Sequence, residues 1–382
     1  MGVAAGAAGR DAGGMELLDR IHRLAARGDD LSRVRAEIDR LLRRAVGYDM
    51  AAVSTVDPAT LLWTSCFVSG LDPRGAAERE RVLFGLEFQG GDPNGYAELA
   101  AAARPVASLH QATGGDLSRA RRHRLLLRGL DVVDEARVIL RSRDGCWGSL
   151  TLYRRAPATP FTEDELALLA ALSTPIAELF RLTLLRAALA APDGLDHPPG
   201  VLLVTGSGEV EVTSADARAW LEAIDDRERL PSAVRAVAAG AASGDGLARA
   251  ALPARDGRWV VLHGSPASGG DGSGDRVAII IEGARPAVLS EVIAGAYGLT
   301  ARERQITGLA AQGHSTRQMA GTLGISPFTV QDHLKAVFAK TGVRSRGELV
   351  AAIYARHYAP HSAAGRAPGP YGWYLDEHLV AS

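Results

Sequence analysis

The chain has 382 residues, of which 47% are hydrophobic and 23% are charged, and this length suits two or three domains rather than one. Its two cysteines provide neither a disulfide framework nor the paired spacing of a zinc site. The formal net charge is −1, and the sequence has neither a secretory leader nor a run of about eighteen apolar residues. We therefore expect a cytoplasmic protein with no membrane segment.

The first part of the chain predicts one α+β domain over residues 15–190. A glycine- and alanine-rich tract at residues 1–14 precedes it and is expected to be disordered. Apolar spacing predicts helices near residues 17–24 and 31–46, and strands at 50–56 and 61–69. Asp144-Gly145 is a hairpin turn between two further predicted strands, 136–143 and 146–155. A long helix is predicted from Thr162 toward residue 190. Helices framing an antiparallel sheet indicate the α+β class.

The middle of the chain predicts a second, smaller domain. Proline and glycine at residues 191–200 indicate a linker. Residues 201–285 then predict two strands, two helices and three strands, with a hairpin turn at Asp256-Gly257. A connecting helix is predicted at residues 286–298. The tail at residues 359–382 is rich in small residues and proline and is expected to be disordered.

Residues 299–358 predict four helices. Each begins after a hydroxyl residue that can cap it, in turn Thr300, Ser315, Ser326 and Ser345. The first two caps are followed three residues later by Glu303 and Gln318, the spacing of a capping box. A short turn containing Gly324 separates the second helix from the third. Two helices joined in this way, the second with polar side chains outward, form the helix-turn-helix motif that places its second helix in the major groove of DNA.

The third of these helices contains the candidate DNA contacts. Gln331 can pair with an adenine edge, Lys335 with guanine, and Asp332 with a cytosine amino group. Phosphate contacts are predicted for the polar and basic residues around them, which are Thr316, Ser326, Thr329, His333, Lys340 and Arg346. Alternatives stay open: Asp332 and Lys335 can pair with each other on a solvated helix, and His333 can pack between helices.

Several motifs in this region resemble the DNA-binding domain of the LuxR family of transcriptional regulators. They include Leu299-Thr-x-Arg-Glu303, Gly313-x-Ser315-x-Arg317, Leu323-Gly-Ile-Ser-Pro327 and Lys340-x-Gly-Val-Arg-Ser-Arg346. The resemblance implies a four-helix domain, recognition of double-stranded DNA by the third helix, and a homodimer held by the fourth. Charge agrees with it, because residues 299–358 contain eight basic and three acidic residues in a chain whose net charge is −1. Both lysines of the chain, Lys335 and Lys340, fall in the third helix.

The two preceding domains resemble sensor modules. Residues 15–190 are similar to a GAF domain in element order and in the step Cys146-Trp147-Gly148, and residues 201–285 are similar to a small PAS domain in element order. GAF domains often enclose a small molecule, which Trp63, Phe67, His110, Cys146 and Trp147 could line, although each also suits an ordinary core. Whether these modules bind a small-molecule ligand or a protein partner, or only mediate dimerisation, is left open. The predicted fold class is multidomain α+β: two antiparallel-sheet sensor modules followed by an all-α helix-turn-helix domain.

The motifs of common enzyme classes are missing. The sequence has no G-x-x-x-x-G-K-[ST] loop, no H-E-x-x-H, no paired C-x-x-C, no G-x-S-x-G, and no lysine before residue 335 of the kind a phosphorylated receiver domain uses. We therefore expect no catalytic residues, no metal and no cofactor. The predicted function is a sequence-specific DNA-binding transcriptional regulator. The alternative is a protein-interaction scaffold with a low-selectivity DNA tether.

Overall fold

A computed structural model describes residues 2–72, 74–142, 145–190, 198–205, 208–225, 230–243, 247–267, 276–284, 299–311, 314–341 and 343–349. They belong to two compact units. The first unit comprises Met1–Ala191 and Asp196–Ala284, and the second comprises Pro192–Leu195 and Arg285–Ser382. Most of the predicted linker, the predicted connecting helix at 286–298 and the predicted tail at 359–382 lie outside the described residues.

The first half of the first unit is an antiparallel five-stranded sheet with helices packed around it. Its elements are α1 (Gly2–Arg27), α2 (Leu31–Ala45), β1 (Met50–Val56), β2 (Trp63–Ser69), α3 (Ala76–Gln89), α4 (Tyr96–Ala101), β3 (Val106–Ser108), α5 (Leu109–Thr113), β4 (Val132–Ser142), β5 (Gly145–Arg155) and α6 (Glu163–Ala190). The strand order is β2-β1-β5-β4-β3. A 3₁₀ turn at Leu117–Arg119 and a π-helical turn at His123–Leu127 lead into β4.

Helix α6 packs against this sheet through a hydrophobic side that faces the core. Its Leu169, Leu172, Ile176 and Phe180 are almost completely buried, and the Ser173 hydroxyl donates to the backbone oxygen of Ile139 on β4 at 2.6 Å. Among the described residues, α6 is the helix that is long and apolar enough to cross a membrane by length and composition alone. Its packing on the sheet accounts for that hydrophobicity, because a core helix has the same composition.

The second half of the first unit is another antiparallel five-stranded sheet. Its elements are β6 (Gly200–Thr205), β7 (Val210–Thr213), α7 (Ala215–Ile224), α8 (Ser232–Ser243), β8 (Ala248–Pro253), β9 (Trp259–Ala267) and β10 (Arg276–Gly283). The strand order is β7-β6-β10-β9-β8, so both sheets place their strands in the order second, first, fifth, fourth, third. The predicted sequence of two strands, two helices and three strands is what the structure contains.

Helix α8 joins the two sheets into one unit. Ala236 packs in a buried cluster with Trp63 and Phe84 from the first half, while Val237 and Ala241 belong to the core of the second sheet. At the same junction the buried Asp57 carboxylate accepts a hydrogen bond from the backbone N–H of Ala251 at 2.8 Å. Small side chains on both faces allow α8 to approach both sheets closely.

Two features of the first unit differ from the sequence-based prediction. Residues 2–14, predicted to be disordered, lie in α1, which is continuous with the amphipathic turns that bury Leu17, Ile21 and Leu24. Alanine has the highest helix propensity, so a helix with an anchored second half can extend through such a tract. The strand β3 was not predicted, because three residues at a sheet edge leave little periodicity to detect.

The second unit is helical in its described part. It contains α9 (Ala301–Ala311), α10 (Thr316–Leu323) and α11 (Pro327–Thr341), followed by helical residues 346–349. The predicted helices correspond closely to these, and the predicted fourth helix begins where expected. Its continuation beyond residue 349 lies outside the described residues.

Candidate nucleic-acid interface

The predicted caps of the second unit are present as hydrogen bonds. Glu303 N–H donates to the Thr300 hydroxyl at 3.2 Å, and the Glu303 carboxylate accepts from Thr300 N–H at 2.7 Å. Ser315 and Gln318 form the same reciprocal pair at the start of α10. Ser326 accepts from Thr329 N–H at 3.0 Å and so caps α11. These bonds satisfy N–H groups that a helix leaves free at its first turn, which fixes where each helix begins.

A small apolar core fixes the mutual orientation of the three helices. Ile306 and Ala310 of α9, Met319 and Ala320 of α10, and Val330 and Leu334 of α11 form one buried cluster. A second cluster joins Leu299, Val337 and Leu349. Between α10 and α11, Gly324 has φ of 64°, and its N–H donates to the Ala320 oxygen. The chain thus makes the tight turn that a helix-turn-helix requires.

The three predicted base-reading residues share the outward face of α11. Val330, Leu334 and Val337 are buried, whereas Gln331, Asp332 and Lys335 are all exposed. Lys335 Nζ lies 3.6 Å from Asp332 Oδ1, so the alternative in which these two residues pair is realised. Both groups are solvent-exposed, and such a pair contributes at most about 1 kcal/mol. The pair can therefore open for another partner at little cost.

The predicted phosphate-contact residues are divided between exposed and half-buried positions. Ser326 is exposed, and its hydroxyl is hydrogen-bonded to that of Thr329 at 2.8 Å. Thr316 and His333 are half-buried. Arg346 donates from Nη2 to the backbone oxygen of Ala310 at 3.3 Å, which ties the start of the fourth helix to α9.

Lys340 has an internal partner that the sequence-based prediction did not include. Its Nζ lies 2.7 Å from the Oε2 atom of Glu303, a residue that is only 5% exposed. Burial on its own raises the pKa of Glu303, but hydrogen bonds from Lys340 and from Thr300 N–H outweigh that effect and hold the pKa below its usual range. A phosphate at Lys340 would have to compete with this carboxylate. The geometry favours a role in joining the last turn of α11 to the first turn of α9.

Other groups on the surface of the second unit were not among the predicted contacts. Arg304, Arg317 and Arg344 are exposed, and within the described part of the chain they have no ion-pair partner. Phe328, the second residue of α11, is 70% exposed. The count of basic residues could have indicated the arginines, but only the three-dimensional structure distinguishes free from paired cations.

The proposed cavity residues of the first unit mostly form ordinary core. Trp63 and Cys146 lie in one buried cluster, and Trp147 is fully buried. Burial raises the pKa of the Cys146 thiol to about 11, so this thiol is protonated and unreactive at neutral pH. Phe67 and His110 are half-buried elsewhere. In the part of the chain that the structure describes, no three His, Cys, Asp or Glu side chains are grouped to hold a metal ion.

A buried charge network lies beside the first sheet. Arg122 donates to Glu135 at 3.0 Å and to Asp92 at 2.9 Å, and Arg137 donates to Glu135 and to Glu87, each at 2.5 Å. Burial would raise the pKa of Glu135, but the charges of Arg122 and Arg137 outweigh it and hold that pKa below its usual range. Every carboxylate in this network has an arginine partner, which is the condition for burying such charges. Spacing along the sequence gave no indication of it.

Comparison with known families adds a second observation to this geometry. Residues 298–353 match the family of bacterial regulatory proteins called the luxR family, and residues 30–179 match the GAF domain. The protein carries a GAF domain followed by a luxR-family DNA-binding domain. Both resemblances predicted from the sequence are thereby confirmed. The resemblance of residues 201–285 to a PAS domain stays a prediction.

A curated relative of the luxR-family domain is the monoamine regulon transcriptional regulator of Klebsiella aerogenes, 50% identical over 52 residues. The match covers 14% of this chain and spans about a quarter of the relative's length (23%).

Solved structures give weaker similarities. They include the Vibrio cholerae VqmA complex with ligand and DNA, which is 17% identical with a TM-score of 0.21, covering 43% of this chain and 85% of that one. Escherichia coli SdiA is 14% identical with a TM-score of 0.35, covering 90% and 97%. At such TM-scores these similarities support no argument about this protein.

Proposed function

We propose that this protein is a sequence-specific transcriptional regulator in which the two sheet-containing modules of the first unit modulate DNA binding by the second. The observation that carries the proposal is the outward face of α11, where Gln331, Asp332 and Lys335 are exposed on a helix held rigidly by two apolar clusters. These residues lie within the part of the chain that matches the luxR family, on the helix that would act as the recognition helix of a helix-turn-helix.

Base reading and phosphate contact are assigned to different residues. Gln331, Asp332 and Lys335 offer groups that match adenine, cytosine and guanine edges in the major groove. Ser326, Thr329, Thr316 and His333 flank this face and would hold the phosphates, joined by the exposed Arg304 and Arg317. Lys340 is assigned a positioning role through Glu303, and Arg346 a similar one through Ala310.

The proposal extends to a cytoplasmic homodimer without catalytic activity. Two copies on two half-sites would place their α11 helices about 34 Å apart, one turn of DNA. The first unit would respond to a small-molecule ligand or a protein partner, and its two modules would transmit the response as one body because α8 packs into both.

Selection of bound sequences from random duplex DNA with the full-length protein tests this function. The expected result is an enriched operator with two related half-sites, bound at least about a thousandfold more tightly than random DNA at physiological salt. A specificity ratio near one would favour the alternative, an interaction scaffold with a low-selectivity DNA tether. The measurement needs several salt concentrations, because phosphate contacts alone give binding that falls steeply with salt.

A further inference from the structure

Phe328 is exposed at a place where an apolar side chain has no structural role. Among the large hydrophobic residues in the described part of the second unit, Phe328 is the one whose surface is mostly exposed to solvent, at 70%. Phe338 on the same helix is turned inward and packs against both apolar clusters. Since α11 has a well-filled buried face without Phe328, the stability of the helix does not explain this aromatic ring.

The position of Phe328 places its ring among the proposed base-reading residues. Phe328, Gln331, Asp332 and Lys335 are residues i, i+3, i+4 and i+7, which lie on one side of an α-helix. Phe328 follows Pro327 in the first turn of α11, and the first turns of a recognition helix are the ones that reach base edges. Its ring therefore lies at the N-terminal end of that face.

The chemistry of the ring selects one kind of base feature. A phenyl ring offers no hydrogen bond to the donor and acceptor pattern of a base edge. The apolar group in the major groove is the C5-methyl of thymine, which is read by contact with an apolar side chain. Building on the proposed function, we infer that Phe328 contacts a thymine methyl group and makes thymine preferred at one position of each half-site.

Replacement of thymine by deoxyuridine tests this assignment, because it removes only the methyl group. Each thymine of the selected operator is replaced in turn, and dissociation constants are measured with the full-length protein, with Phe328→Ala and with Lys335→Ala. Burial of one methyl corresponds to about a fourfold change in affinity. For the unsubstituted protein and for Lys335→Ala, we expect deoxyuridine to weaken binding by this factor at one thymine of each half-site. For Phe328→Ala, deoxyuridine at the same position should leave the affinity almost unchanged. Phe328→Leu, which keeps an apolar side chain, should retain part of the effect.

The possible failures are distinguishable. If the selection returns no enriched sequence, the proposed function fails and this assignment with it. If an operator is found but it lacks thymine near the α11 contact, or no deoxyuridine position weakens binding, Phe328 does not read a methyl group. An equal deoxyuridine effect in Phe328→Ala would also overturn the assignment. Since Phe328 is exposed, thermal unfolding of its variants should match that of the unsubstituted protein.

Discussion

At the residue scale, Lys335 is expected to determine base preference. Its ammonium group is exposed and loosely paired with Asp332, so it can turn to guanine O6 and N7. Lys335→Ala should reduce discrimination at one position of the half-site by about 1–3 kcal/mol while leaving stability unchanged. Competition binding against operators varied at each position measures this. An equal loss of affinity for the operator and for random DNA would assign Lys335 to a phosphate instead.

Lys340 is expected to act on stability instead. Lys340→Met would remove the cationic partner of the buried Glu303 carboxylate and leave that carboxylate hydrogen-bonded to Thr300, and we expect the second unit to lose about 1–3 kcal/mol of unfolding free energy. Chemical denaturation followed by a probe in the second unit measures the loss, and Lys335→Met is the matched control. Similar stability of the two variants would contradict the positioning role.

The Lys340–Glu303 pair predicts that the stability of the second unit depends on pH. Because the pKa of Glu303 is lower in the folded protein, its contribution to stability is present above the ordinary glutamate pKa of about 4.3 and is lost as pH falls through the folded pKa. The gap in stability between the unsubstituted protein and Glu303→Gln should therefore narrow below about pH 4. Denaturation midpoints of the second unit at a series of pH values test this, and a gap independent of pH would rule it out.

The lysines show what a sequence can and cannot reveal about a site. The exposed positions of Gln331, Asp332 and Lys335 follow from helical periodicity, because the apolar residues lie on the opposite face of the helix. The Lys340 pair joins residues on two different helices, and nothing local indicates it. Charge and helix position both favoured a phosphate contact for Lys340, but a buried carboxylate 37 positions away takes up its ammonium group.

At the element scale, the turn between α10 and α11 depends on Gly324. Its positive φ places it in the left-handed region, where a side chain costs about 1–2 kcal/mol. Gly324→Ala should destabilise the second unit by about that amount. Gly321→Ala is the matched control, since Gly321 lies inside α10 with no atom near the added Cβ, and there alanine should stabilise by about 1 kcal/mol. Relative to the unsubstituted protein, the denaturation midpoint should fall for Gly324→Ala and rise for Gly321→Ala.

Helix starts and hairpins could be predicted because their signals are local. The capping boxes at Thr300 and Ser315 and the hairpin turns fixed the element ends beside them to within one or two residues. The region between β2 and β4 could not be resolved in the same way. The short helices α4 and α5 and the edge strand β3 have little periodicity and contact β4.

At the scale of the whole first unit, sequence alone suggested two separate domains joined by a linker. In the structure the two sheet-containing halves pack into one compact unit, because α8 is apolar on two sides and Asp57 reaches across to Ala251. A proline- and glycine-rich segment indicates where the chain is irregular, but it contains no information about whether the flanking domains touch. That contact is made by residues distant from the linker.

The junction between the sheets predicts how the first unit unfolds. Asp57 is buried, and its Oδ1 accepts from Ala59 N–H while its Oδ2 accepts from Ala251 N–H, both at 2.8 Å. Asp57→Ala leaves these donors unsatisfied and should cost about 1–3 kcal/mol. Peptide-resolved hydrogen exchange in denaturant should show both sheets opening together in the unsubstituted protein, and β8 and β9 opening earlier in the variant.

The matched control is Asp116→Ala. The exposed Asp116 also accepts a hydrogen bond from a backbone N–H, that of Ser118 at 3.1 Å, but this bond is local and does not connect the two halves of the unit. This variant should lose less stability and keep the two sheets opening together. If Asp57→Ala also leaves both sheets opening together, the Asp57 bond contributes stability without coupling the modules. In that case transmission through the first unit would depend on the apolar packing of α8 alone.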